Sequence, residues 1–72
     1  QHLNRVFRKA LGATPLQYLT RMRLDRAAEM LRQEQFTITE IGRRVGIQDP
    51  YYFSRLFSAH HGMSPTEYRS KI

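Results

Sequence analysis

Apolar residues recur along the chain at spacings of three and four, the period of one helical face, and no piece reads as a strand. Leu24, Ala27, Ala28 and Leu31 stand at i, i+3, i+4 and i+7, and Phe53, Leu56, Phe57 and His60 repeat that spacing further on. Leu3, Val6, Phe7 and Ala10 make a third such stripe near the start. Proline and glycine separate the stripes, and each piece opens with helix-start grammar. Thr14, Pro15 and Gln17 supply a cap, a first-turn proline and a capping-box partner, which predicts a long helix from about Pro15 to Gln33. Thr37 and Glu40 repeat the box and open a helix that should stop near Gly46. Asp49-Pro50 opens another that should close at Gly62, and Ser64-Pro65-Thr66-Glu67 opens a short last one. The predicted class is all-α with short connections. Leu24, Ala27, Ala28 and Leu31, together with the inward Ile38, Ile41 and Val45, are the candidate core.

A second regularity appears when the chain is slid along itself by fifty positions. Arg5, Phe7, Gly12, Pro15 and Tyr18 then coincide with Arg55, Phe57, Gly62, Pro65 and Tyr68, and Leu3-Asn4 and Val6 fall on Phe53-Ser54 and Leu56. Each copy reads as a helix, a glycine stop, and a Thr-Pro or Ser-Pro start with an aromatic residue in the next turn. Similarity between two amphipathic helices supplies the apolar matches, but not the glycine, proline and tyrosine in register, so the pattern points to duplication. Both copies also have an outward stripe opposite the packing stripe. It consists of Gln1, Asn4, Arg5 and Arg8 in the first, and of Tyr51, Ser54, Arg55 and Ser58 in the second. Such a stripe is either an ordinary solvated face or a set of side chains able to bond base edges, with Arg suited to guanine and Asn to adenine.

Charge favours the second reading. Twelve Lys or Arg against six Asp or Glu give +6 over 72 residues. No acidic residue precedes Asp25, so the amino-terminal third is the most basic part. With 40% hydrophobic residues the chain is too apolar for a disordered tail. A folded basic domain implies a polyanionic partner, nucleic acid first. Ahead of the second copy, Ile38 to Ile47 reads as a short helix and a glycine turn, with Gly42 where another helix must come close. A short helix, a tight turn and a second amphipathic helix make the helix-turn-helix plan, whose second helix enters the major groove. Moving the first helix of that plan back by fifty residues leads to negative numbers. The first unit is therefore expected to be truncated to its recognition helix, leaving Leu3, Val6 and Phe7 as an uncovered stripe.

Ile38-Thr39-Glu40-Ile41-Gly42-Arg43-Arg44-Val45-Gly46-Ile47, then Tyr52-Phe53-Ser54-Arg55-Leu56-Phe57, then Gly62-Met63-Ser64-Pro65-Thr66-Glu67-Tyr68-Arg69, is similar in order and spacing to the signature of the AraC/XylS family of bacterial transcription regulators. The resemblance covers essentially the whole chain. It implies a homeodomain-like helix-turn-helix subdomain over 35–72, a linker helix within 13–34 and, over 1–12, the remnant of a second helix-turn-helix. Both recognition helices would lie in successive major grooves. A nineteen-residue linker is about 28 Å long, comparable to the ~34 Å between grooves one turn apart.

Carried over residue by residue, the family's base-reading positions fall on Gln1, Asn4 and Arg5 in the first helix and on Tyr51, Ser54 and Arg55 in the second. Gln48 and Tyr52 are neighbours of that set, and Asp49 is better explained as the cap before Pro50. Phosphate contacts are expected from Arg8, Lys9, Arg43 and Arg44, and from the helix start at Thr37 and Ile38. The family pattern more often has Ala at Gly42 and Phe at Ile47, which predicts looser packing of the first helix of the unit. It usually has smaller polar residues where Tyr51 and Tyr52 stand.

Other classes fit less well. Zero cysteines exclude disulfides and thiolate metal sites. His60 and His61 point about 100° apart on a helix and make no chelate by themselves, so no metal or cofactor is expected. No serine has an evident base and no phosphate-cradling glycine loop exists, so the chain is not expected to be an enzyme. No apolar run approaches the ~20 residues of a membrane span and no leader opens the chain, so the expected location is cytoplasmic, with no membrane partner. RNA binding lacks any signature of its own. The alternative function is a helical protein-interaction or self-association module with only non-specific nucleic-acid affinity. The leading function is sequence-specific binding of double-stranded DNA in transcription regulation. RNA polymerase would be a further partner, and an upstream effector or dimerisation domain would lie outside this chain.

Overall fold

A computed structural model of the chain describes Arg5, Lys9, Ala10 and residues 12–72. Four helices follow one another: α1 over Pro15–Leu31, α2 over Ile38–Arg44, α3 over Pro50–His61 and α4 over Pro65–Ser70. Arg5, Lys9 and Ala10 are helical as well. No strand occurs among the described residues.

Each helix starts where local hydrogen bonding satisfies its first amides. Thr14 Oγ1 accepts from the Gln17 amide at 3.1 Å while Gln17 Oε1 accepts from the Thr14 amide at 3.0 Å. The same reciprocal box closes at Thr37 with Glu40 and at Ser64 with Glu67. Asp49 Oδ1 accepts from the Tyr51 amide at 3.0 Å, so the carboxylate is the cap of α3. α1 ends at Leu31, two residues before the expected Gln33, with Arg32 as C-cap.

The turn between α2 and α3 is set by Gly46. Its φ of 93° lies in the left-handed region that side chains with a Cβ rarely adopt. The Ile47 amide donates to the Gly42 carbonyl at 2.8 Å and the Gly46 amide to the Arg43 carbonyl at 3.1 Å. This is the Schellman pairing, and it ties off the carbonyls that α2 would otherwise leave open.

α1 packs on α2, α3 and α4, and all share one core. Leu24, Ala27, Ala28, Met30 and Leu31 from α1 meet Ile41, Val45 and Ile47 from the α2 region and Phe53 and Phe57 from α3. Phe53 and Phe57 are completely buried, with ring centroids 5.9 Å apart. Tyr68 of α4 meets Phe57 edge-on at 5.6 Å. The predicted stripe on α1 is therefore the core stripe. Ile38 and Leu56 are only half-buried against it, and His60 is exposed. Ala10, placed on the packing stripe of the first copy, is exposed, while Leu3, Val6 and Phe7 lie outside the described residues.

Gly42 does not loosen the unit. A Cβ there would come within 3.1 Å of both the Ile47 carbonyl oxygen and Phe53 Cγ, so the phenylalanine ring occupies the space a side chain would need.

The fifty-residue repeat has a backbone counterpart. Gly12 and Gly62 both take left-handed conformations, φ 73° and 80°, and two residues later Thr14 and Ser64 cap a Pro-initiated helix with nearly the same dihedrals.

Candidate nucleic-acid interface

α3 is two-faced because its burial follows the 3.6-residue period. Phe53 and Phe57 point into the core. On the opposite side Tyr51 is 82% exposed, Arg55 is exposed, and Ser54 and Ser58 are half-buried beside it. Tyr51, Ser54 and Arg55 thus share one accessible face of the second helix of a helix-turn-helix unit. Gln48 is exposed in the turn before it. Tyr52, 53% exposed, stands at the border of that face. It lines a shallow groove with Ser54 and Arg55 on one side and, on the other, a depression against Leu16 and Thr20 of α1.

The cations around this face differ in how firmly they are held. Arg43 and Arg44 are exposed in the last turn of α2. Arg44 lies over the Phe36 ring, its guanidinium carbon 4.7 Å from the centroid. The hydroxyl and amide of Thr37 are both engaged with Glu40, at 3.1 and 3.2 Å. A phosphate at the Thr37 amide would have to displace that carboxylate. Ile38 turns its side chain toward the core.

Of the residues assigned to the first recognition helix, Arg5 and Lys9 are helical and exposed. Gln1, Asn4 and Arg8 lie outside the described residues.

Three arrangements could not be foreseen from spacing. Asp25 Oδ1 on α1 meets His60 Nε2 at 2.9 Å and His61 Nε2 at 3.7 Å, both from the end of α3. Arg23 of α1 lies against the turn, its Cζ 3.1 Å from where a Gly46 Cβ would be. Arg69 reaches the end of α1, donating from Nε to the Leu31 carbonyl at 3.2 Å and from Nη2 to the Gln33 carbonyl at 3.1 Å.

This architecture has close counterparts. A helix-turn-helix domain family matches residues 1–71. The lactose operon transcription activator of Staphylococcus xylosus is 41% identical over 68 residues, 94% of this chain and 24% of that protein. The transcriptional activator RhaS of Escherichia coli is 37% identical over 67 residues, 93% of this chain and 24% of its own. The chain thus spans about a quarter of the length of these curated relatives.

Among solved structures, the C-terminal domain of AraT, a response regulator from Geobacillus stearothermophilus, superposes with a TM-score of 0.91 at 37% identity. That match covers 99% of this chain and 59% of AraT's. The DNA-binding domain of AdpA, a global transcriptional factor crystallised with a target DNA, gives 0.86 at 31% identity, covering 94% and 61%. With the family matching nearly the whole chain and these relatives above 30% identity, the chain belongs to the AraC-type helix-turn-helix family of bacterial transcription regulators.

Proposed function

We propose that the chain binds double-stranded DNA sequence-specifically, with α3 laid in a major groove and Tyr51, Ser54 and Arg55 turned to the base edges. The observation that carries this is the division of α3. Phe53 and Phe57 anchor it at zero exposure, and the reverse face, preceded by the Gly46 turn, presents donors and acceptors to solvent. Gln48 and Tyr52 flank the base-reading set. Gln1, Asn4 and Arg5 would read a second groove, with 1–12 as recognition helix, 13–34 as linker and 35–72 as the second subdomain. At 1.5 Å per residue the seventeen residues of α1 extend about 26 Å, in keeping with grooves roughly one turn apart. Arg8, Lys9, Arg43 and Arg44, with the start of α2 at Thr37 and Ile38, would hold the phosphates. The regulator implied by this reading works in the bacterial cytoplasm, responds through an effector or dimerisation domain, and acts on transcription with RNA polymerase as partner.

Selection from random duplexes, followed by titration of the chain on the recovered site and on a scrambled one at physiological salt, tests the reading. A preference of about 10³ or more is expected. Equal affinity for both duplexes, or no salt-dependent binding to either, would overturn it.

One observation favours self-association as a second reading. Leu16, Leu19 and Met22 are 70%, 41% and 54% exposed along α1. Sedimentation of the chain without DNA distinguishes the two, since the DNA reading does not require a dimer of this chain.

A further inference from the structure

Where the carboxyl end of α3 meets the middle of α1, one oxygen and two nitrogens converge. Asp25 Oδ1 lies 2.9 Å from His60 Nε2 and 3.7 Å from His61 Nε2, and the three ligand atoms all fall within 4.8 Å of one another. We infer that Asp25, His60 and His61 bind a divalent transition-metal ion of the zinc class, which clamps the recognition helix to the linker helix.

The spacing fits. Bonds of 2.0–2.1 Å to a tetrahedral ion put neighbouring donors about 3.3 Å apart, and the two observed separations bracket that edge. The donor types fit as well. Two imidazoles and one carboxylate suit zinc, nickel or copper, whereas calcium and magnesium require more oxygens than the site offers.

The site is also held in shape. The His61 ring packs at a tilt against Phe57 with centroids 4.4 Å apart and lies 5.8 Å from Tyr68, and His60 meets it edge-on at 4.5 Å. Adjacent helical residues ordinarily diverge, and here Asp25 on the facing helix gives both rings a common target. The Asp25 side chain is 64% exposed, so an ion has a path in and a fourth position open to water.

His61 Nε2 stands 3.0 Å from the Leu24 carbonyl and, without metal, donates a proton to it. Coordination replaces that hydrogen bond with the Nε2 lone pair and leaves the ring proton on Nδ1. His60 follows Tyr51 by nine residues, about 13 Å along the helix, so the ion sits away from the base-reading end. It would fix the angle at which α3 leaves the linker, independently of any nucleic acid.

The test is thermal unfolding of the chain, free of affinity tags and DNA, during titration with zinc chloride in a non-chelating buffer. The melting temperature should rise with the logarithm of zinc concentration and return when EDTA is added. Cobalt bound in place of zinc should develop visible absorption, and the Nε2 resonances of His60 and His61 should shift. D25N alters an exposed side chain and H60Q a partly exposed one, and both should weaken binding by about tenfold or more. D25H keeps three donors and should retain it. H2Q, which removes the remaining histidine, should behave as the parent chain. Zinc stabilisation unchanged by D25N and H60Q, or lost in H2Q, would overturn the assignment, as would no binding up to millimolar zinc.

Discussion

Arg69 on α4 donates from Nε to the main-chain carbonyl of Leu31, the last residue of α1, across a sequence separation of 38. The last carbonyls of a helix lack partners within it, and α1 carries no basic residue in its own final turn. The guanidinium from the far end of the chain supplies both the donors and the positive charge that this end of the helix favours. Arg69 closes the stretch that resembles the family signature, and its position within the last helix gives it a structural role away from the proposed groove-facing side.

Replacing Arg69 with Met keeps the alkyl stem and removes the donors. We expect a loss of about 1–2 kcal/mol, since one of the two hydrogen bonds is exposed and both are charge-assisted. Urea denaturation with an unchanged slope would show it as a lower midpoint. A midpoint equal to that of the parent chain would mean that water caps α1 equally well.

What the sequence disclosed and what it withheld divide by range. Thr14 with Gln17, Thr37 with Glu40, Ser64 with Glu67 and Asp49 before Pro50 are caps made within three residues, and the structure forms all four. The core stripe of α1 was equally legible, because a helix buries one face whatever its partner. Contacts between helices were not legible. His60 looked like a packing residue from its spacing, but the end of α3 passes Asp25 at the surface and the imidazole turns to the carboxylate. Periodicity fixes a face to within about a quarter turn, and which residue of another helix meets it depends on crossing geometry. The outward face of α3 was readable for the same reason as the core stripe. Its equivalent on the first copy lies mostly outside the described residues.

Gly42 offers a test of close packing between α2 and α3. Alanine in a helix interior gains about 1 kcal/mol over glycine, but its Cβ would press on the Ile47 carbonyl and the buried Phe53 ring at 3.1 Å. The two effects oppose each other, and we expect Gly42→Ala to change stability by less than about 1 kcal/mol. Gly42→Val adds two methyls beyond that Cβ with no such compensation and should cost about 2 kcal/mol or more. Calorimetry on the pair would expose a loose site, because there the valine would be tolerated as well as the alanine.

Arg43 and Arg44 should separate in stability and converge in binding. Arg44 covers the Phe36 ring, so Arg44→Ala should destabilise the fold by about 0.5–1 kcal/mol, whereas Arg43→Ala should leave it unchanged. On duplex DNA each substitution should reduce the slope of log affinity against log salt by about one if the side chain contacts a phosphate. A slope identical to that of the parent chain would reduce the pair to solvated charge.

Arg55 is the sharpest test of how α3 reads sequence. It is exposed on the face opposite Phe53 and Phe57, and its guanidinium can take guanine O6 and N7 together. We expect Arg55→Ala to cost about 1–3 kcal/mol on the preferred duplex and to erase discrimination at one base pair, while the salt slope stays nearly constant. A phosphate contact predicts the reverse, a similar loss on every sequence and a shallower slope. Measuring both quantities on the preferred and scrambled duplexes therefore distinguishes the roles with one variant. If the fifty-residue repeat also holds in function, Arg5→Ala should relax discrimination at a different base pair, about one helical turn from the first. Relaxation at the same base pair, or none, would confine base reading to α3.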